Sequence, residues 1–294
     1  MGAPGAPPRR VPALARVWDS TVDGLNLDVL AGESDAVFLA LPDTAAAELA
    51  PELLARGKRV FDLSGAFRLR DAAARQRWYP HTPEPPASLA YGLTERYREA
   101  IAGSRLVACA GCYPTAAILA LQPLVQAGLI EAPIIIDAKS GVSGAGKTPT
   151  ERTHFSECHG SLSAYGVFSH RHAAEIEQEL GTTVTFVPHL VPIDRGILET
   201  IYARLTPRIG EADIASTFHA VYAGSAFVRL TGADLPEVKH VAHTNFCDIG
   251  WRVDEGGRQL VLVVCIDNLV KGAAGQAVQN FNVAFGFDER LGLN

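Results

Sequence analysis

The sequence predicts an α/β protein in two parts. Residues 1–112 read as a parallel-sheet unit and 113–265 as an α+β unit with a mostly antiparallel sheet, and 266–294 return as a helix to the first unit. Three observations carry this. A strand, a helix and a second strand follow one another with short links between residues 35 and 63, the βαβ signature of a parallel sheet. A further strand near Leu106 runs through a glycine turn into a helix. Beyond residue 128, strand-like runs outnumber helical ones. A chain of 294 residues is long enough for two domains and for a sizeable core.

Residues 1–34 are rich in Pro, Gly and Ala, then irregular, and predict no element. The apolar run from Asp35 to Leu41 is a strand stopped by Pro42-Asp43. The Ala-rich run 44–56 is a helix, with Gly57 just past its last turn. Arg59 to Leu63 is the second strand and Leu106 to Ala108 a third. A helix spans 114–127, with Pro114 at its first position and Gly128 closing it. Ile134 to Ile136 is a buried strand, and 141–170, dense in Gly, Ser, Thr and His, read as long functional loops. Strands follow near 183–189, 197–205, 226–230, 240–247 and 259–266, with helices over 211–223 and 269–285.

Composition narrows the function. Hydrophobic residues make up 48%, charged residues 20%, and the net charge is −6, which does not fit a general nucleic-acid binder. The longest apolar run, Leu260 to Ile266, is far short of the ~18 residues that span a bilayer. The start has no apolar signal core, and Ala6 stands where a myristoylation signal needs Ser or Thr. A cytoplasmic protein with a small-molecule substrate is expected. Five cysteines, an odd number, imply free thiols.

The chemistry concentrates at Gly111-Cys112-Tyr113-Pro114-Thr115. Cys112 stands where a strand ends and a helix begins, and the positive end of the helix dipole favours thiolate, so a lowered pKa and a nucleophilic role are expected. The competing readings are a buried structural cysteine, or a Cys109–Cys112 pair in dithiol or metal chemistry with His154, Cys158 and His159. No second C-x-x-C supports the metal reading. His170-Arg171-His172 offers imidazoles for proton transfer, with a solvated loop or a zinc pair as its rivals. Gly141 to Thr148 matches the phosphate-loop pattern G-x-x-x-x-G-K-[ST], but Pro149 follows at once and no apolar stripe supports the helix such a loop requires. A glycine loop that approaches a ligand closely is the better reading.

Taken together, these residues resemble the N-acetyl-gamma-glutamyl-phosphate reductase family, relatives of aspartate-semialdehyde dehydrogenase. The matching stretches run in family order: Leu39 to Pro42, Asp62 to Ser64 with Phe67 to Leu69, Gly111 to Thr115, Ser140 to Gly146, His170 to His172, Pro188 to Leu190 with Pro192, Arg195 and Gly196, and Asp267 to Gly275. The resemblance implies a Rossmann-type nucleotide-binding domain, a catalytic domain and NADPH-dependent reduction of an acyl phosphate to an aldehyde through a cysteine thioester, in arginine biosynthesis. By resemblance Cys112 is the nucleophile and His172 the acid/base. Ser140, Tyr165 and His170 are implied substrate contacts, and Leu41, Pro42, Gly141, Ser143, Gly144, Gly146 and Asn268 cofactor contacts. Arg68, Arg171 and Arg195 are anion partners on charge alone, Arg68 foremost. The resemblance also implies a homo-oligomer, dimer or tetramer.

The chain departs from that pattern. No G-x-G-x-x-G precedes residue 35, so a Rossmann-type domain truncated at its N-terminus, without its glycine-rich pyrophosphate turn and a central strand, is expected, and with it weak NADPH binding. Cys109-Ala110 stand where the family has Asn-Pro, which raises a reversible Cys109–Cys112 disulfide. Ala66 and Ala174 replace a common Asp and Pro. The alternative functions are therefore a catalytically impaired remnant, or the same chemistry on a longer or carrier-protein-bound acyl phosphate.

Overall fold

The structure, a computed structural model, describes residues 5–293; the first four residues of the Pro/Gly/Ala-rich start lie outside them. Ahead of the first strand, Arg9 bridges Val22, and a short helix α1 (Leu27–Glu33) is capped by Asn26, whose side chain accepts from the Asp28 and Val29 N–H groups at 3.1 Å. Leu27 and Leu30 pack against a core cluster that includes Val37, Leu39 and Val60. The sequence reading assigned nothing here. The capping Asn is the signal for α1, but seven residues without a clear apolar stripe did not reveal it.

Four parallel strands form the first sheet, in the order β1-β2-β4-β3: β1 (Ala36–Leu39), β2 (Arg59–Asp62), β3 (Leu89–Gly92) and β4 (Leu106–Cys109). Helix α2 (Asp43–Ala55) packs Ala46, Ala47, Ala50 and Leu53 on one face of it, against Val37, Leu39, Val60 and Leu106. Small Ala side chains let that helix lie close. Helices α3 (Ala72–Trp78) and α4 (Thr94–Gly103) lie between β2 and β4 in sequence and flank β3. These three elements were not predicted. Tyr97 has a non-helical backbone inside α4, and the β3 run is only four residues long, so neither gives a clear period.

Helix α5 (Cys112–Gln126) links the two sheets and is buried almost throughout. It starts two residues earlier than the sequence predicted, so Pro114 is its third residue. No bond is lost, because the first-turn N–H groups have no intrahelical acceptor. A mixed seven-stranded sheet follows, in the order β6-β7-β5-β8-β11-β10-β9. Its strands are β5 (Ile130–Gly141), β6 (Ser163–Ala164), β7 (Val184–Val191), β8 (Ile197–Leu205), β9 (Val228–Gly232), β10 (Cys247–Val253) and β11 (Gln259–Ile266). Neighbours are antiparallel except β5–β7 and β9–β10. Helices α6 (Phe155–Cys158), α7 (Arg171–Leu180) and α8 (Glu211–Tyr222) belong to this part. The core runs between α5 and the inward residues Ile136, Ala138, Ile201, Leu262 and Val264.

One strand was misplaced. The sequence put it at 240–247, but β10 begins at Cys247, and 238–246 form turns. The hairpin explains the shift: Asp254 accepts from the Arg258 and Gln259 N–H groups at 2.7 Å, pinning the β10–β11 turn and hence the register. The closing helix is also not uniform. A wide π-type turn at Val270–Ala274 precedes α9 (Gly275–Ala284). Helix α9 lies on the second face of the four-stranded sheet, where Ala277 and Val283 meet Phe61, Ala90 and Val107, and Asn280 donates to the Gly92 carbonyl at 3.0 Å.

Candidate active site

Parallel strands deliver ligand sites at their carboxyl ends. Here the ends of β1, β2 and β4 meet the glycine loop after β5, the start of α7 and the π-type turn around one cavity of about 370 Å³. It is lined by Leu41, Pro42, Arg68, Cys112, Ser143, Gly144, Gly146, His170, His172 and Asn268. Six stretches distant in sequence therefore supply one space. Ser140, Tyr165 and Gly141 lie just outside it. Ser140 is buried beneath Gly144, whose added Cβ would come within 2.6 Å of its Oγ. Tyr165 lines the adjoining bay, its hydroxyl 3.1 Å from that of Tyr113. At Gly141, an added Cβ would come within 2.8 Å of the Arg195 backbone, so this glycine serves a close chain crossing.

Gly111 holds the nucleophile loop. Its N–H donates to Glu175 Oε1 at 2.8 Å, and its carbonyl accepts from the Thr115 N–H and hydroxyl at 2.8 and 2.9 Å. Cys112 then opens α5 facing the cavity. The expected lowering of its pKa is not what the surroundings give. Burial pushes the thiol up to about 11, although the Tyr113 N–H and the Arg68 charge pull the other way. Desolvation outweighs the helix terminus, and thiolate must form by handing its proton to a neighbour.

Two histidines line the same cavity as Cys112. Burial, reinforced by the positive charges of Arg68 and Arg171 and by His170, holds His172 well below the ordinary imidazole value. Its Nδ1 is buried without a partner among the described residues, and an added Cβ on Gly111 would come within 2.7 Å of its Nε2. His172 is a neutral base beside the residue that precedes Cys112. His170 caps α7: its Nδ1 accepts the His172 N–H at 3.1 Å. Burial lowers its pKa to about 4, so it is neutral at pH 7 and carries its proton on Nε2, a donor to an oxyanion or carbonyl.

The three arginines separate. Arg68 is buried; its guanidinium donates to the Cys109 carbonyl at 2.8 Å and the Leu63 carbonyl at 2.7 Å and faces Glu175 Oε2 at 3.5 Å. Those partners occupy it, and it ties β2 to β4 beneath the nucleophile. Arg195 is paired with buried Asp267 at 3.1 Å. Arg171 stands at the cavity rim, 4.0 Å from Asp43. Cys109 is buried on β4, where Asn280 Nδ2 lies 3.6 Å from its sulfur in the cluster facing α9, and both it and Cys112 are free thiols. Lys147-Thr148 of the phosphate-loop pattern starts no helix. Among the described residues no three His, Cys, Asp or Glu side chains converge as metal ligands.

Two residues escaped the sequence reading. Glu175 was placed only on a helical stretch, although it stands one turn after His172. Gly272 lay unremarked within the Asp267–Gly275 stretch. In the π-type turn an added Cβ there would meet Cys112 Cβ at 2.8 Å and Ile266 Cδ1 at 3.2 Å. Such turns recur at functional sites. Gly272→Ala is expected to displace Cys112 and to lower kcat/KM by about 10²-fold, with Tm moved by only a few degrees. Unchanged turnover would show that the turn yields without moving the sulfur.

The NADP(H) site can be tested against these residues. Leu41, Pro42, Gly144 and Gly146 line the same cavity as Cys112, apolar and glycine positions that leave room for a flat ring, and Asn268, which donates to Ser143 Oγ at 3.1 Å, ties the glycine loop to the π-type turn.

The parallel sheet, the helix-borne cysteine and the mixed sheet together define an enzyme of the semialdehyde dehydrogenase class. Family profiles agree: "Semialdehyde dehydrogenase, NAD binding domain" matches residues 6–104 and "Semialdehyde dehydrogenase, dimerisation domain" residues 112–268. Solved structures of that class share the fold. Aspartate semialdehyde dehydrogenase II from Vibrio cholerae superposes with a TM-score of 0.71 at 18% identity, over 97% of this chain and 88% of that one. The Candida albicans enzyme, solved with NADP, gives 0.64 at 15% identity over 95% and 85%. Within the class, the chain belongs to the N-acetyl-gamma-glutamyl-phosphate reductase family: the Syntrophobacter fumaroxidans member is 46% identical over 292 residues, 96% of this chain and 85% of that protein.

Proposed function

We infer that the chain catalyses NADPH-dependent reduction of N-acetyl-γ-glutamyl phosphate to N-acetylglutamate 5-semialdehyde, a step of arginine biosynthesis. The observation that carries this reading is Cys112 in the first turn of α5, sharing one cavity with two neutral histidines. An acyl phosphate is activated, so a sulfur nucleophile displaces phosphate and forms a thioester. As Cys112 attacks, His172 takes the thiol proton. The departing phosphate leaves with the acyl C–O electron pair. Bound NADPH supplies the hydride that reduces the thioester. His172 returns its proton to the oxygen of the tetrahedral adduct and recovers it as that adduct collapses, and the regained Cys112 thiolate is reprotonated from it. His170 Nε2–H stabilises the oxyanion at each stage; one such donor is worth about 3–4 kcal/mol. The same grouping of Cys112, His170 and His172 speaks for an active reductase rather than an impaired remnant.

Three finer assignments accompany this. Residues 1–112 with the returning 266–294 form the nucleotide-binding unit and 113–265 the catalytic unit, supported by α9 lying on the four-stranded sheet. The chain forms a homo-oligomer, a dimer or tetramer. Ile135 and Tyr202, paired across β5 and β8, stand outward and exposed as an apolar contact face. It works in the cytoplasm. Its five cysteines are free thiols, as a reducing compartment keeps them. The test of the activity runs the reaction backwards: with N-acetylglutamate semialdehyde, phosphate and NADP⁺, the chain is expected to form NADPH only when all three are present. NADPH formed without phosphate would point to a plain aldehyde dehydrogenase instead.

A further inference from the structure

Gly144 and His170 also line a second bay of about 820 Å³ beside the active-site cavity, walled by Arg152, Thr153, Ser163, Tyr165 and Leu190. We propose that this bay receives the carboxylate-bearing end of the substrate and that Arg152 is the anion partner that selects an N-acylated amino acid over a neutral aldehyde. The inference rests on the reductase reading and assigns the far end of the same substrate.

The acyl carbon must reach Cys112, so the rest of the molecule extends away from it, and the bay is the larger of the two adjoining spaces. A carboxylate there needs a cation that is not already spent. Arg68 and Arg195 are held by Glu175 and Asp267. None of the ion pairs among the described residues uses Arg152. Its guanidinium lies 5.6 Å from the centre of the Tyr165 ring, and that ring lies 5.6 Å from His170. Arg152 therefore stands one aromatic ring beyond the catalytic histidines. The ring face steadies the guanidinium and leaves its planar fork of donors free for a bidentate carboxylate.

Local structure fixes the position. Arg152 is the middle residue of a single turn, Glu151–Thr153, closed at both ends: the Thr153 N–H donates to Thr150 Oγ1 at 3.3 Å and the Thr150 N–H to Thr153 Oγ1 at 3.0 Å. Glu151 and Glu157 also line the bay. An anion in this bay is therefore tolerated only where the Arg152 charge offsets them.

The test compares N-acetylglutamate semialdehyde with 4-acetamidobutanal, the same aldehyde without the carboxylate, each with phosphate and NADP⁺. The full chain is expected to prefer the first by roughly 10²-fold in kcat/KM. Arg152→Gln raises the KM for the semialdehyde about 10- to 100-fold, keeps kcat within about threefold, and cuts the preference below about tenfold. Arg152→Lys falls between, having charge without the fork. A merely structural Arg152 would move both aldehydes alike. An Arg152→Gln chain that keeps the full preference overturns the subsite while the reductase reading stands. A wild-type chain inert towards both aldehydes overturns the reductase reading and the subsite with it.

Discussion

Cys112→Ser removes phosphate-dependent NADPH formation by at least about 10³-fold while the chain stays folded. The change is nearly isosteric, so the close packing of Gly272 on Cys112 survives. What is lost is a group able to give up its proton and then leave again. A serine hydroxyl loses its proton far less readily than a thiol even at the elevated value of about 11, and an oxygen ester resists hydride attack and releases its alkoxide poorly. The thiol value also sets a pH signature. With the pKa near 11, the thiolate fraction of the free chain climbs about tenfold per pH unit between 7 and 10, and iodoacetamide labelling of Cys112 should climb with it. His172, held neutral, does not add a second step near pH 6.5. Labelling that levels off below pH 8 would show that the helix terminus outweighs burial after all.

How far the sequence foretold this depends on what kind of signal each element leaves. β1, α2 and β2 are bounded by Pro42-Asp43 and Gly57 and have long apolar runs, so local chemistry defines them. β10 does not: its start depends on a turn that Asp254 organises and on pairing with β9, neither of which a linear apolar pattern contains. The same division holds in the site. Cys112 and the two histidines announce themselves by residue type at a strand–helix junction and at a helix start. The direction of the Cys112 pKa was misjudged because the helix dipole is legible in sequence, whereas desolvation comes from distant parts of the chain packed on Cys112, Gly272 among them. Arg68 was read as an anion partner on charge alone, and its partners Cys109, Leu63 and Glu175 exist only once the strands are side by side.

Glu175 is where the second large effect is expected. One carboxylate there serves three partners: it accepts from the Tyr91 hydroxyl at 2.6 Å and the Gly111 N–H at 2.8 Å, and it faces Arg68 at 3.5 Å. All of these are buried, so water cannot answer for the charge. Glu175→Ala leaves the Arg68 guanidinium without its counter-charge and Gly111 without its acceptor. Breaking a buried pair from one side costs about 3–5 kcal/mol, which lowers Tm by roughly 10 °C in a chain of this size. Activity should fall further than stability accounts for, because the Gly111 bond is what sets the entry of Cys112 into α5. Glu175→Gln separates the two effects. Its amide oxygen still accepts from Gly111, so most of the turnover returns at 25 °C, while Arg68 stays uncompensated and Tm remains low. Thermal melts and kcat/KM on the two variants decide it. If Glu175→Gln is as inactive as Glu175→Ala when both are folded, the charge itself acts on the reacting groups, and Glu175 does more than hold the loop.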